Sequence, residues 1–238
     1  MPLIRALSMA AAPTHPSSTP QGRAKGSRSE ADALPPPHID ALSDLRTAVN
    51  HCRRCGLWRA ATQGVPGEGP GDAELMLVGE VPGDAEDLAG HPFVGPAGTV
   101  LDHALAEAGL DRDSMYVTNA VKHFKFEQRG KRRLHMKPSI AEITACNGWL
   151  AEELRLVRPK LAVALGATAA RGLLGRTVTI MSMRGRAMPL NETTHVWVTI
   201  HPSYLLRIPD EAPRRAELAR FTDELRAVRG WLAGRRPS

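Results

Sequence analysis

The stretch Leu75-Met76-Leu77-Val78-Gly79-Glu80-Val81-Pro82-Gly83 decides the architecture. Four apolar residues run on without alternation, the pattern of a strand covered on both faces in a parallel sheet, and they stop at a turn built from glycine and proline. The pattern recurs at Met115-Tyr116-Val117-Thr118, Leu161-Ala162-Val163-Ala164-Leu165 and Val196-Trp197-Val198-Thr199-Ile200. Helical spacing fills the intervals. Leu101, Leu105 and Ala108 precede Gly109; Ile143, Cys146, Leu150 and Leu154 follow a capping box of Ser139 and Glu142; Leu218, Phe221, Leu225 and Val228 follow Pro213. A first helix is read from Ile39, Leu42, Leu45 and Val49. Strand and helix in alternation predict an α/β protein: a three-layer α/β/α arrangement around a central, mainly parallel, four-stranded sheet. Ligands of such sheets bind beyond the carboxyl ends of the strands. There the order places Glu80, Asn119, Gly166 and His201, a carboxylate, an amide, a close-approach glycine and an imidazole.

The bulk properties agree with one catalytic domain. The 238 residues are 42% apolar, enough for one sizeable core. A formal charge of +6 and a pI near 9.6 favour a polyanionic partner, nucleic acid first among them. Residues 1–37 are rich in Pro, Ser, Ala and Arg without helical or strand period, so a disordered basic tail is expected ahead of a domain over 38–238. Three cysteines cannot pair completely. Cys52 and Cys55, in a chain without a secretory signal, point to a metal or cluster in a reducing, cytoplasmic compartment. No apolar run reaches membrane-spanning length, and a monomer is expected. No G-x-G-x-x-G or phosphate-loop motif occurs, which argues against dehydrogenases and nucleotide hydrolases.

The densest chemistry lies between Asn119 and Cys146, read as a loop followed by the start of a helix. It contains His123, the basic run Lys131-Arg132-Arg133, His135 and Cys146. Each histidine taken alone fits a surface or core role, and Cys146 on the apolar face of its helix fits a small buried hydrophobe. Cys52, Cys55, His123 and Cys146 come from distant segments, unlike compact zinc modules, although spacing alone leaves Cys3His zinc open.

Several ordered motifs resemble the iron–sulfur uracil-DNA glycosylases of family 4. They are Cys52-Arg53-Arg54-Cys55, Gly79 to Gly83 followed by Pro92-Phe93-Val94-Gly95-Pro96-Ala97-Gly98, Thr118-Asn119-Ala120-Val121-Lys122, Leu165-Gly166-Ala167-Thr168-Ala169, and His201-Pro202-Ser203-Tyr204-Leu205-Leu206-Arg207. The match spans roughly residues 40–230. Lys131-Arg132-Arg133-Leu134-His135 is similar to the loop of X-type members, whose terminal histidine bonds to the sugar of the excised site. Val81 departs from the glutamine usual there.

The resemblance implies a uracil-DNA glycosylase fold and a 4Fe–4S cluster on Cys52, Cys55, His123 and Cys146. It places Gly79, Val81, Phe93, Asn119 and Gly166 around the base, and Lys131, Arg132, Arg133, Ser203 and Arg207 on uracil-containing DNA, single-stranded by preference. Phe93 would stack on the flipped base. Asn119 would accept from N3–H and donate to O4, a pattern that cytosine reverses. His201 would donate to O2 of the departing uracil anion, Glu80 would stabilise the cation-like sugar, and His135 would attack it. That attack needs a neutral imidazole, which the neighbouring Lys131, Arg132 and Arg133 are expected to favour. A hydrolytic enzyme using water and a weakly catalytic lesion-binding protein are the alternatives.

Overall fold

The computed structural model describes residues 38–234; the proposed tail lies outside these residues. Four parallel strands form where expected: β1 (Leu75–Gly79), β2 (Tyr116–Asn119), β5 (Leu161–Leu165) and β7 (His195–Thr199). A short fifth strand, β6 (Ala187–Pro189), adds an antiparallel edge, giving the order β2-β1-β5-β7-β6. Its three residues are too few to carry a periodic signal.

β1 shows why an unbroken apolar run means two covered faces. Side chains alternate along a strand. Leu75 and Leu77 enter a core with α3 (Pro96–Ala108) and α7 (Glu211–Gly234). Met76 and Val78 enter the opposite core with α4 (Ile140–Val157) and α5 (Ala167–Leu174). Burying each such side chain contributes about 1.5–3 kcal/mol, so the central strand is anchored from both sides. A third apolar cluster joins α1 (Leu42–Asn50) to α4 and contains Cys52, Cys55 and Cys146. Ile39 belongs to it but precedes the helix. Short helices α2 (Asp84–Ala89) and α6 (Ile180–Met183) complete the chain.

The order fixes where a ligand can enter. From β1 the chain crosses to β2 on one side, and from β2 through α4 to β5 on the other. The carboxyl ends of β1 and β5 therefore flank a topological switch point, the natural crevice of a parallel sheet.

The basic stretch differs from the expected loop. It is a hairpin, β3 (Phe126–Arg129) paired antiparallel with β4 (Arg132–His135), in which Arg129 faces Arg132 and Phe126 faces His135. Gly130 makes the tight turn at φ 59°, a conformation that favours glycine. Neither strand has a buried face, so the sequence shows no alternation to announce them. Arg133 supplies the hold instead. Its guanidinium meets Asp84 at 2.5 Å and Asp87 at 2.6 Å and lies over the rings of Phe124 and Phe126.

Candidate active site at the sheet's carboxyl rim

A cavity of about 550 Å³ opens at the switch point, lined by Glu80, Phe93, Asn119, His135, His201 and Arg207 among others. Residues read from five separate stretches of sequence thus share one wall. Gly79 stands behind that wall. A Cβ there would fall 2.2 Å from Asn119 Oδ1 and 2.6 Å from the Phe93 ring, so only glycine lets the amide and the aromatic face close over the strand end. Val81 lines the cavity while belonging to the apolar cluster of Val121 and Cys146, which puts it between the cavity and the thiols.

Phe93 is held by its backbone. Its φ of 57° lies in the left-handed region, rare for a bulky residue. Gly98 makes room for it, since a Cβ at 98 would lie 1.9 Å from the Phe93 carbonyl oxygen. Arg112 donates to the carbonyls of Pro92 and Phe93. Buried Glu86 accepts from the N–H groups of Gly83 and Gly95, tying the turn after Glu80 to the loop that carries Phe93. The Phe93 and His201 rings stack with centroids 5.8 Å apart.

His201 has a defined tautomer. Ser203 N–H donates to Nδ1 at 3.1 Å, and Ser203 Oγ lies 2.8 Å from the same atom while accepting from Arg207. Nδ1 is therefore the acceptor, and the proton of the neutral ring resides on Nε2. Burial, with His135 and Arg207 nearby, lowers its pKa to about 4, so the ring is neutral at pH 7.

Glu80 accepts from Thr168 Oγ1 at 2.6 Å, a bond across the switch point from β1 to α5. The sequence offered no sign of Thr168 as a partner. Asn119 is 3% exposed and lines the cavity. Beneath it lies another group that sequence reasoning missed. Lys122 and Glu153, both side chains fully buried, meet at 2.6 Å. Lys122 Nζ also donates to Asn119 O and Thr118 Oγ1, each at 2.7 Å, while Glu153 accepts from Thr118 Oγ1 and Gly67 N–H. Three donors meet three acceptors, so a buried pair that would otherwise be costly is fully satisfied and fixes the end of β2. A lysine beside buried Val121 was the available signal.

His135 ends β4 at the cavity mouth. Desolvation lowers its pKa; Glu80 and Glu86 oppose the shift and Arg207 adds to it. Arg207, not the expected Lys131-Arg132-Arg133 run, is the cation acting on the ring. Arg133 is turned inward onto Asp84 and Asp87, whereas Lys131 and Arg132 are exposed at the hairpin tip, outside the cavity lining. Ser203 and Arg207 do line the cavity. Gly166 lies apart from it, on an adjoining cavity, where its φ of 92° and bare Cα admit the His201 side chain.

Cys52, Cys55 and Cys146 are buried and form no disulfide. Trp149 Nε1 donates to Cys52 Sγ at 3.2 Å, and Cys55 is the side-chain partner of Cys146. His123 is 1% exposed, and neither ring nitrogen has a hydrogen-bond partner among the described residues. Burial and Arg53 lower its pKa to about 4. A buried neutral imidazole with a lone pair unspent, like the three buried thiols, is suited by its chemistry to ligate a metal. Among the described residues no three such side chains close around a single ion.

This combination of a mainly parallel sheet with a cavity at its switch point, lined by an aromatic, an amide and an imidazole, places the chain among α/β proteins that bind ligands at the strands' carboxyl ends. A family model described as the uracil DNA glycosylase superfamily matches residues 66–226. The type-4 uracil-DNA glycosylase of Sulfurisphaera tokodaii is 34% identical over 180 residues, covering 72% of this chain and 79% of that protein. That of Thermotoga maritima is 37% identical over 171 residues, covering 71% and 85%. That of Archaeoglobus fulgidus is 33% identical over 178 residues, covering 72% and 86%. The chain belongs to the uracil-DNA glycosylase superfamily.

Proposed function

We propose that this protein excises uracil from DNA during repair and is then joined to the abasic sugar through His135. The observation that carries the reading is the clamped hairpin: Arg133, fixed on Asp84 and Asp87, delivers His135 to the cavity that holds Glu80, Asn119 and His201. A solvated loop would not need such an anchor.

Uracil enters the slot against Phe93, where Asn119 reads N3–H and O4. As the bond between N1 and C1′ breaks, its electron pair leaves with the base, and His201 Nε2–H donates to O2 as charge develops. The Glu80 carboxylate, held by Thr168, faces the cation-like sugar. The lone pair of neutral His135 forms the new bond to C1′, the ring then gives up its remaining N–H proton, and the uracil anion takes one up. Incubation with uracil-containing single-stranded DNA should give a species that survives heat and detergent at one DNA per protein, and thymine-containing DNA should give none. Repeated uracil release without that species would favour hydrolysis.

Cys52, Cys55, His123 and Cys146 are proposed to hold a 4Fe–4S cluster. Three thiols and an imidazole, all buried, are donors of the kind that ligate an iron–sulfur cluster. The cluster would join α1, α4 and the segment after β2, and no step of base excision passes through it. Anaerobically purified protein should contain about four irons per chain. His123→Ala should lose iron faster than wild type, and His123→Cys should keep it; stoichiometric zinc would refute the assignment.

Lys131 and Arg132 are proposed phosphate contacts, and Arg133 the anchor. Lys131→Ala with Arg132→Ala should flatten the logarithmic salt dependence of DNA binding by roughly two units, about one per lost contact. Arg133→Ala should leave that slope near wild type while cutting adduct formation, because a loosened hairpin misplaces His135. The opposite partition would make Arg133 the phosphate contact.

A further inference from the structure

The resemblance to family 4 enzymes assigns Gly166 to the base, yet Gly166, Ala167 and Thr168 stand outside the cavity lined by Phe93 and Asn119. They form the turn that leaves β5 and opens α5. β5 pairs on one side with β1, which ends just before Glu80, and on the other with β7, which ends two residues before His201. The turn after β5 therefore stands between the strand ends that carry those two groups. It touches both. On the β1 side, Thr168 Oγ1 donates to Glu80 Oε1 at 2.6 Å. On the β7 side, Gly166 N–H donates to Thr199 O at 2.9 Å, and a Cβ on Gly166 would lie 3.1 Å from His201 Cβ, tighter than ordinary contact. At φ 92° a side chain there is strained in any case. A hydroxyl in the first turn of a helix can bond back to its own backbone. Thr168, 3% exposed, has one proton to give and gives it to the carboxylate.

Cleavage between N1 and C1′ builds two opposite charges at once, an anion on the base beside His201 and a cation-like sugar beside Glu80. The two groups serve one transition state only while they stand apart. An imidazole N–H that reached the carboxylate would be satisfied before substrate arrived. We propose that the 166–168 turn is the spacer that sets Glu80 and His201 at their working separation, with Thr168 a positioning residue for the Glu80 carboxylate. Its hydroxyl takes Oε1 and turns Oε2 toward the sugar, while the bare Cα of Gly166 keeps the opposite side clear for the imidazole. This rests on the glycosylase reading and moves the motif from binding the base to aligning the two groups that act on the bond.

The test is single-turnover uracil release from single-stranded DNA with protein in excess, a condition that covalent trapping does not disturb because each DNA reacts once. Thr168→Val keeps the shape and removes the hydroxyl. It should lower the maximal rate by about 10²-fold, the scale for a misplaced active-site group, with the half-saturating protein concentration unchanged. Thr168→Ser should recover most of the rate, because the donor returns. Each change should lose its effect once its target is gone. Thr168→Val should add no loss in Glu80→Ala protein, and Gly166→Ala, which lowers the rate of otherwise wild-type protein, should add none in His201→Ala protein. Losses that multiply in these pairs, or a Thr168→Val rate equal to wild type, would overturn the proposal. Urea unfolding accompanies every variant, and if Gly166→Ala does not fold, the Thr168 series decides. Wild-type protein that releases no uracil would remove the glycosylase reading and this proposal with it, whereas wild-type release matched by Thr168→Val removes the proposal alone.

Discussion

His135→Ser protein is expected to release uracil over many turnovers and form no heat-stable adduct, where wild type, on the proposed mechanism, should stop after one. The serine leaves space at the cavity mouth for water while Glu80, Asn119 and His201 keep their positions. The product should be an alkali-sensitive abasic site. Adduct formation should also depend on pH in one direction. His135 must be neutral to attack, and its pKa lies below the ordinary value of about 6.5, so the rate should hold through neutrality and fall only on the acid side. An adduct in His135→Ser would assign the nucleophile elsewhere. A fall in wild-type rate on the alkaline side of neutrality would show that a group other than His135 controls the rate there.

Asn119→Asp should reduce uracil excision by about 10³-fold or more. A carboxylate presents no donor to O4, and a site built to hydrogen-bond its substrate rejects a mispaired edge by several powers of ten. The charge also enters a position that is 3% exposed, above a Lys122–Glu153 pair already neutralised. Stability must be measured beside activity, by urea unfolding, so that loss of fold is not read as loss of base recognition. Folded Asn119→Asp protein with full uracil activity would show that another group reads the base.

Much of this arrangement was legible before any coordinates. Unbroken apolar runs such as Leu161 to Leu165 announce doubly covered strands, and strand ends announce the rim, so Glu80, Asn119 and His201 meet where expected. The hairpin was not legible because its strands bury no face and its hold on the domain comes from Arg133, whose acidic partners lie 46 and 49 positions earlier in the chain. Thr168 and Glu153 were missed for the same reason: hydrogen bonds between distant segments leave no period in a sequence. The source of the His135 shift followed suit, since Arg207 is remote in sequence and near in space.

The backbone of Phe93 and the bare Cα of Gly98 share one tight turn. Any side chain at 98 would collide with the main-chain carbonyl of residue 93, so the turn demands glycine at 98 whatever side chain stands at 93. Libraries that vary the side chain at position 93 should therefore hold glycine fixed at 98, because the left-handed turn that presents that side chain depends on it.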